Sequence, residues 1–267
     1  MRTTAVVNQK GGVGKTATTM NVGGALAHTG RRVLLVDLDP QGHLTEAMKV
    51  MTAPAGGKPF RLSEALTGAY DGPMANLAIE HSKRDDGSRL DVIPQDVEMF
   101  VVARQLDKLR AREERLARVL ADLAPEYDHC LIDCPPALDI LTDNALTAAD
   151  GVLIPAQAED SSLTALRLLL GQIEALETEL RRTPLTLDGL VISMLERGPR
   201  GEPKSSIARS VIAAFKKLPL PILATVPRGV PITEAWRCGV PVVDYAPGTD
   251  HAAAYRQVAA AIDGTPG

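Results

Sequence analysis

The apolar run Thr4-Ala5-Val6-Val7 leads almost directly into Gln9-Lys10-Gly11-Gly12-Val13-Gly14-Lys15-Thr16, a glycine-rich stretch that closes on Lys-Thr where a helical pattern begins. A strand, a tight glycine loop and a helix N-terminus in that order leave few folds open. Gly11, Gly12 and Gly14 let backbone N–H groups turn toward an anion. Lys15 supplies a point charge for the β- and γ-phosphates, and the Thr16 hydroxyl is placed to ligate Mg²⁺. The segment Gly11, Gly12, Val13, Gly14, Lys15, Thr16 and Ala17 therefore predicts a cradle for a nucleoside triphosphate.

The usual phosphate-loop pattern wants a glycine where this chain has Gln9, and a second lysine, Lys10, stands at the start of the loop. Two readings of Lys10 follow. It is a solvent-facing lysine, or it reaches a nucleotide held by a second subunit and acts as an arginine finger does in trans.

Two further runs deliver acids to strand ends. Arg32-Val33-Leu34-Leu35-Val36-Asp37-Leu38-Asp39-Pro40-Gln41-Gly42 reads as a buried strand closing on two carboxylates, and Tyr127-Asp128-His129-Cys130-Leu131-Ile132-Asp133-Cys134-Pro135-Pro136 as another closing on one. With the loop at 8–16, Thr142-Asp143-Asn144-Ala145-Leu146 and Val226-Pro227-Arg228, they make the chain resemble the ParA-type partition ATPases, P-loop proteins with a deviant, signature-lysine Walker A motif. The resemblance covers nearly the whole chain. It implies that Lys10 is the signature lysine, Lys15 the cradle lysine, Thr16 the magnesium ligand, Asp39 the carboxylate needed for hydrolysis, and Asp133 the acid that holds a magnesium-bound water. It also implies ATP and Mg²⁺ as cofactors and base contacts from Ser193-Met194 and Pro227-Arg228. No Asn-Lys-x-Asp guanine reader is present. Asp37 stays open between a contact made to magnesium through water and a carboxylate that caps the strand end.

Apolar runs near 3–8, 32–37, 90–94, 129–133, 151–155, 189–194 and 221–226 alternate with helical periods. That predicts an α/β fold: a mostly parallel twisted sheet with helices on both faces and the nucleotide outside the carboxyl ends of the strands. Aromatics are 3% of the chain, so the core is built from Val, Leu, Ile and Ala. A single domain over 1–267 is expected. Residues 51–60 and 82–89 read as exposed loops. Met99, Val102, Leu106, Leu109, Leu116, Leu120 and Leu123 predict one long amphipathic helix with a charged outer face. The phosphate loop begins so early that no DNA-reading helix-turn-helix domain is expected ahead of it.

Three cysteines without a metal-type pair of pairs favour free thiols in a reducing compartment over a disulfide framework or zinc. No run approaches the roughly 20 apolar residues of a membrane helix, so no integral membrane association is expected. The relative MinD anchors through a C-terminal amphipathic helix, but here residues 251–262 are alanine-rich and read as a packing helix.

The net charge is −4, yet between Glu196 and Arg237 eight basic residues face three acidic ones; that local excess of +5 leaves −9 for the remainder. The resemblance places nonspecific double-stranded DNA binding in this region, with Lys204, Arg209 and Arg228 the first candidates and phosphate contact the expected mode. Lys204 stands where the family usually has arginine, and Pro231 follows Val230 where arginine is common. Both departures point to weaker affinity. The resemblance implies a homodimer in the ATP state, a ParB-like centromere-binding partner that stimulates hydrolysis, and a cytoplasmic, nucleoid-associated protein that segregates DNA. The other readings are an ATP-switched scaffold for a non-DNA cargo, such as a protein organelle or membrane complex, and an ATP-dependent ligase of the same fold.

Overall fold

The computed structural model describes residues 1–50, 61–180 and 184–264. Eight strands form one sheet: β1 (Arg2–Val6), β2 (Arg32–Asp37), β3 (Ile79–Lys83), β4 (Arg89–Ile93), β5 (His129–Asp133), β6 (Gly151–Ala156), β7 (Thr186–Leu195) and β8 (Ile222–Pro227), in the order β3-β4-β2-β5-β1-β6-β7-β8. Every pairing is parallel except β3 with β4.

The helices are α1 (Lys15–His28), α2 (His43–Ala47), α3 (Leu62–Thr67), α4 (Met99–Leu106), α5 (Arg115–Leu123), α6 (Ile140–Ala148), α7 (Asp160–Leu180), α8 (Ser206–Phe215), α9 (Val230–Cys238), α10 (Val242–Tyr245) and α11 (Asp250–Asp263). They cover both faces, and strand alternation shows it. Leu34 and Val36 of β2, with Ile132 of β5, join α4 to α8 in one core, whereas Val33, Leu35 and Leu131 join α1 and α9 to α11 in the other. Central strands buried on both faces read as unbroken apolar runs, which is why β2 and β5 were legible. Each fully buried Leu or Val in these layers contributes about 1.5–3 kcal/mol.

Two expectations need correction. The loop at 82–89 is the turn of a hairpin: Ser82 and Lys83 end β3, and Arg89 begins β4. β3 is an edge strand, half exposed and polar, so it carries no apolar run to announce it. The single helix over 99–123 is broken as well. Ala111 adopts a left-handed conformation (φ 48°) and a 3₁₀ turn at Arg112–Glu114 precedes α5. Buried Asn144 of α6 holds the break, accepting from Leu116 N (3.0 Å) and donating to the Arg112 carbonyl (2.8 Å). The segment 51–60 lies outside the described residues.

The C-terminal helix α11 packs on α1 and β8, burying Ala252, Tyr255, Val258, Ala259 and Ile262. Among the described residues no helix is long and apolar enough to cross a membrane.

Candidate nucleotide site

β1, β2 and β5 are neighbours, so their carboxyl ends bring the three motifs to one edge of the sheet. Asn8 braces the loop after β1 from within: its Nδ2 donates to the Pro155 carbonyl (2.7 Å) and its Oδ1 accepts from Lys10 N (2.9 Å). Gly14 is the N-cap of α1 at φ 86°, a left-handed geometry that favours glycine, and no side chain caps the helix. The first-turn N–H groups are therefore free of a side-chain acceptor, as an anion site requires. Lys15 is 7% exposed and reaches back across the loop to the Lys10 carbonyl (3.4 Å). Burial pulls its pKa below the ordinary lysine range, opposed chiefly by the charge of Asp133.

Asp37 and Asp133 are register partners at the ends of β2 and β5, and both are fully buried. Asp37 Oδ2 accepts from Thr45 N (2.7 Å) and Thr45 Oγ1 (2.6 Å), so it anchors α2. Among the described residues Asp37 Oδ1 and Asp133 Oδ2 have no hydrogen-bond partner. Burial pushes the Asp37 carboxyl up to about 7 and raises Asp133 well above the carboxylate range, where the nearby Asp37 adds like charge. The Thr16 hydroxyl beside Asp133 offsets part of that rise.

Buried, under-satisfied carboxylate oxygens next to a hydroxyl fit a divalent cation. Among the described residues no group of three or more His, Cys, Asp or Glu side chains could hold a metal ion by itself. That suits Mg²⁺, which keeps waters and binds phosphate oxygens with few protein ligands. Cys130 and Cys134 are buried free thiols whose pKa values burial raises.

Asp39 is 6% exposed, and its Oδ1 accepts from Gln41 N (2.9 Å), which folds the segment leading to α2 into a turn. Two cavities of about 460 Å³ each meet at Gly14, Ala17 and Met194. One is lined by Gly11, Gly12, Lys15, Thr16 and Asp39, the phosphate side. The other is lined by Ser193, Met194, Pro227 and Arg228, the expected base contacts. Val13 is buried and shows its carbonyl to the Ser193 hydroxyl.

Lys10 is not the solvent-facing lysine of the first reading. Its Nζ is ion-paired with Glu159 of the same chain and also bonds Ser161 Oγ (2.9 Å). It is neither loose in solvent nor pointed at its own phosphate cavity. Sequence reasoning passed over Glu159, and also His43 and Trp236 on the phosphate side and Ile232, Thr233 and Tyr255 on the base side. None lies in a motif; Tyr255, a large aromatic in an alanine-rich helix, was the one visible signal.

The expected DNA-binding residues lie close together. Lys204 (3.8 Å) and Arg228 (3.3 Å) both reach the Glu196 carboxylate, and Arg209 in α8 donates to the Pro203 carbonyl (2.9 Å). Lys204 and Arg228 stay mostly exposed, with side chains 69% and 71% accessible.

A family model described as an AAA domain matches residues 1–186. The sporulation initiation inhibitor protein Soj of Bacillus subtilis is 35% identical over 96% of this chain and 95% of its own length. The chromosome partitioning protein ParA of Caulobacter vibrioides is 37% identical over 92% and 87%. This chain belongs to the ParA-type P-loop ATPases. Among solved structures, cobyrinic acid a,c-diamide synthase from Mycobacterium smegmatis, with bound ATP analog and magnesium, is similar at a TM-score of 0.76 and 31% identity over 97% of this chain and 93% of that one. The α/β sheet of this ParA-type chain is thus the P-loop fold expected from its motifs.

Proposed function

We propose that the chain is an ATP-dependent dimerising switch ATPase for DNA segregation, which binds DNA nonspecifically in its ATP state and lets go on hydrolysis. The observation that carries the coupling is Arg228: it lines the base cavity and shares the Glu196 carboxylate with Lys204, so base site and basic surface meet in one side chain.

Gly11 to Ala17 hold the phosphates through backbone N–H groups and Lys15, while Ser193, Met194 and Pro227 enclose the base. The Thr16 hydroxyl and the Asp133 carboxylate would hold Mg²⁺, which when bound would neutralise phosphate charge. Asp39 orients the attacking water, and its turn lets α2 follow that position. Lys10 leaves Glu159 and neutralises the terminal phosphate of a second copy of the chain. Hydrolysis here is positioning plus electrostatic stabilisation, so these groups suffice. By family likeness hydrolysis is slow alone and faster with a ParB-like partner, and the protein is cytoplasmic and nucleoid-associated. The whole chain acts as one ATPase domain.

Sedimentation and DNA binding with ADP, ATP and a slow-hydrolysing analogue test this on wild type, Lys10→Ala and Asp39→Ala. ATP-dependent dimers are expected, with hydrolysis lost in both variants and ATP dimerisation retained in Asp39→Ala. Dimerisation and DNA binding indifferent to nucleotide would overturn the switch. An unchanged DNA isotherm in Lys204→Glu, with dimerisation intact, would favour the non-DNA scaffold. Steady hydrolysis without any small-molecule acceptor separates the switch from a synthase.

A further inference from the structure

The base cavity has one wall made of Pro227, Arg228, Gly229 and Val230. Behind it stands His251, in the first turn of α11 and only 8% exposed. Burial lowers the His251 pKa, and a hydrogen bond to the Pro227 backbone opposes that fall. The ring is thus tied to the same Pro227–Gly229 turn that walls the cavity.

Its shape is matched to the wall. A Cβ built on Gly229 would fall 2.6 Å from Nε2 and 2.7 Å from Cε1 of His251, so imidazole and glycine backbone are in direct contact. Gly229 is extended (φ −175°), a conformation open to any residue. The space taken by His251, not backbone strain, is what demands glycine there. One turn further along α11, Tyr255 lines the cavity itself. Residues four apart share a helix face, so a single face of α11 both lines the cavity and props its wall.

We propose that His251 is a positioning residue for the nucleobase: its ring braces the Pro227–Gly229 turn from behind and sets the width of the cavity, without touching the nucleotide. This rests on the reading of that cavity as the base site. The brace acts on the base and leaves the phosphate cradle alone, which gives it a signature that general destabilisation lacks.

Displacement of a fluorescent ADP by unlabelled ADP and by inorganic tripolyphosphate tests it on wild type, His251→Ala, Gly229→Ala and the double variant. Gly229→Ala is expected to weaken ADP about ten-fold and His251→Ala about three-fold. The double variant returns to the level of His251→Ala, because the new methyl occupies the space the ring left. Tripolyphosphate binds all four proteins equally. If Gly229→Ala does not fold, His251→Ala, which only removes atoms, decides the matter through the same two competitors. Unchanged ADP affinity in His251→Ala, equal losses for both competitors, or a double variant as weak as Gly229→Ala would each overturn the brace. A wild type that binds no ADP is a separate failure, and removes the nucleotide reading itself.

Discussion

Asp37 shows how much of this site is written in unfavourable electrostatics. Its carboxyl is buried beside Asp133 and is pushed from 3.8 up to about 7. Between those two pH values the folded chain holds a proton that the unfolded chain has already lost, so unfolding releases it and rising pH favours unfolding. The contribution to stability is greatest below pH 3.8, falls as pH rises toward about 7, and is level above that. Thermal melts of the nucleotide-free protein at pH 5 and pH 8 are expected to show wild type losing a few kcal/mol that Asp37→Asn does not lose. The amide keeps an acceptor for Thr45 and removes the titration. Equal pH responses in the two proteins would mean that Asp37 is ionised throughout. Mg²⁺ with ADP should flatten the wild-type profile, since a bound cation restores the charge balance of the carboxylates.

At the scale of elements, the break between α4 and α5 depends on one side chain. Asn144 is fully buried and bonds Leu116 N, the Arg112 carbonyl and the Ile140 carbonyl (2.8 Å). Asn144→Ala strands a buried donor and acceptor near Ala111, and denaturant unfolding should show a loss of about 2–3 kcal/mol. A loss below about half a kcal/mol would show that water serves these groups equally well. The same element marks the limit of what sequence shows. The apolar spacing from Met99 to Leu123 was correct, because Leu106, Leu116, Leu120 and Leu123 are buried, but spacing alone could not register a turn held by a residue 28 positions away. β3 was hidden for a related reason: an edge strand with solvent on one side needs no apolar run. The placing of the cradle, Asp39 and Asp133 at one edge was legible because each lies at, or just past, the end of a buried central strand, where pattern and chemistry coincide. The Glu159 partner of Lys10 was not, since it depends on how α7 begins beside the loop.

For the whole molecule, the proposed ATP-state dimer would be decided by how charge is gathered on its basic face. On the proposed function, Lys204, Arg209 and Arg228 of two copies would make about six phosphate contacts, for which log K against log salt should have a slope of about −5 on duplex DNA. Glu196 now holds Lys204 and Arg228, and these exposed pairs are weak, on the order of 1 kcal/mol or less each. DNA phosphates bound there would therefore displace the carboxylate at a modest cost in affinity. Glu196→Gln removes that competition and one negative charge per copy, so anisotropy titrations with ATP should show binding several-fold tighter at low salt. Arg228→Ala should weaken binding on every sequence alike and lessen the slope by about 2, one contact from each copy. A slope unmoved by Arg228→Ala would place the DNA on another face. A slope moved equally with ADP would leave the surface in place but cut its tie to the nucleotide, and with it the reason for Arg228 to stand between base cavity and basic patch.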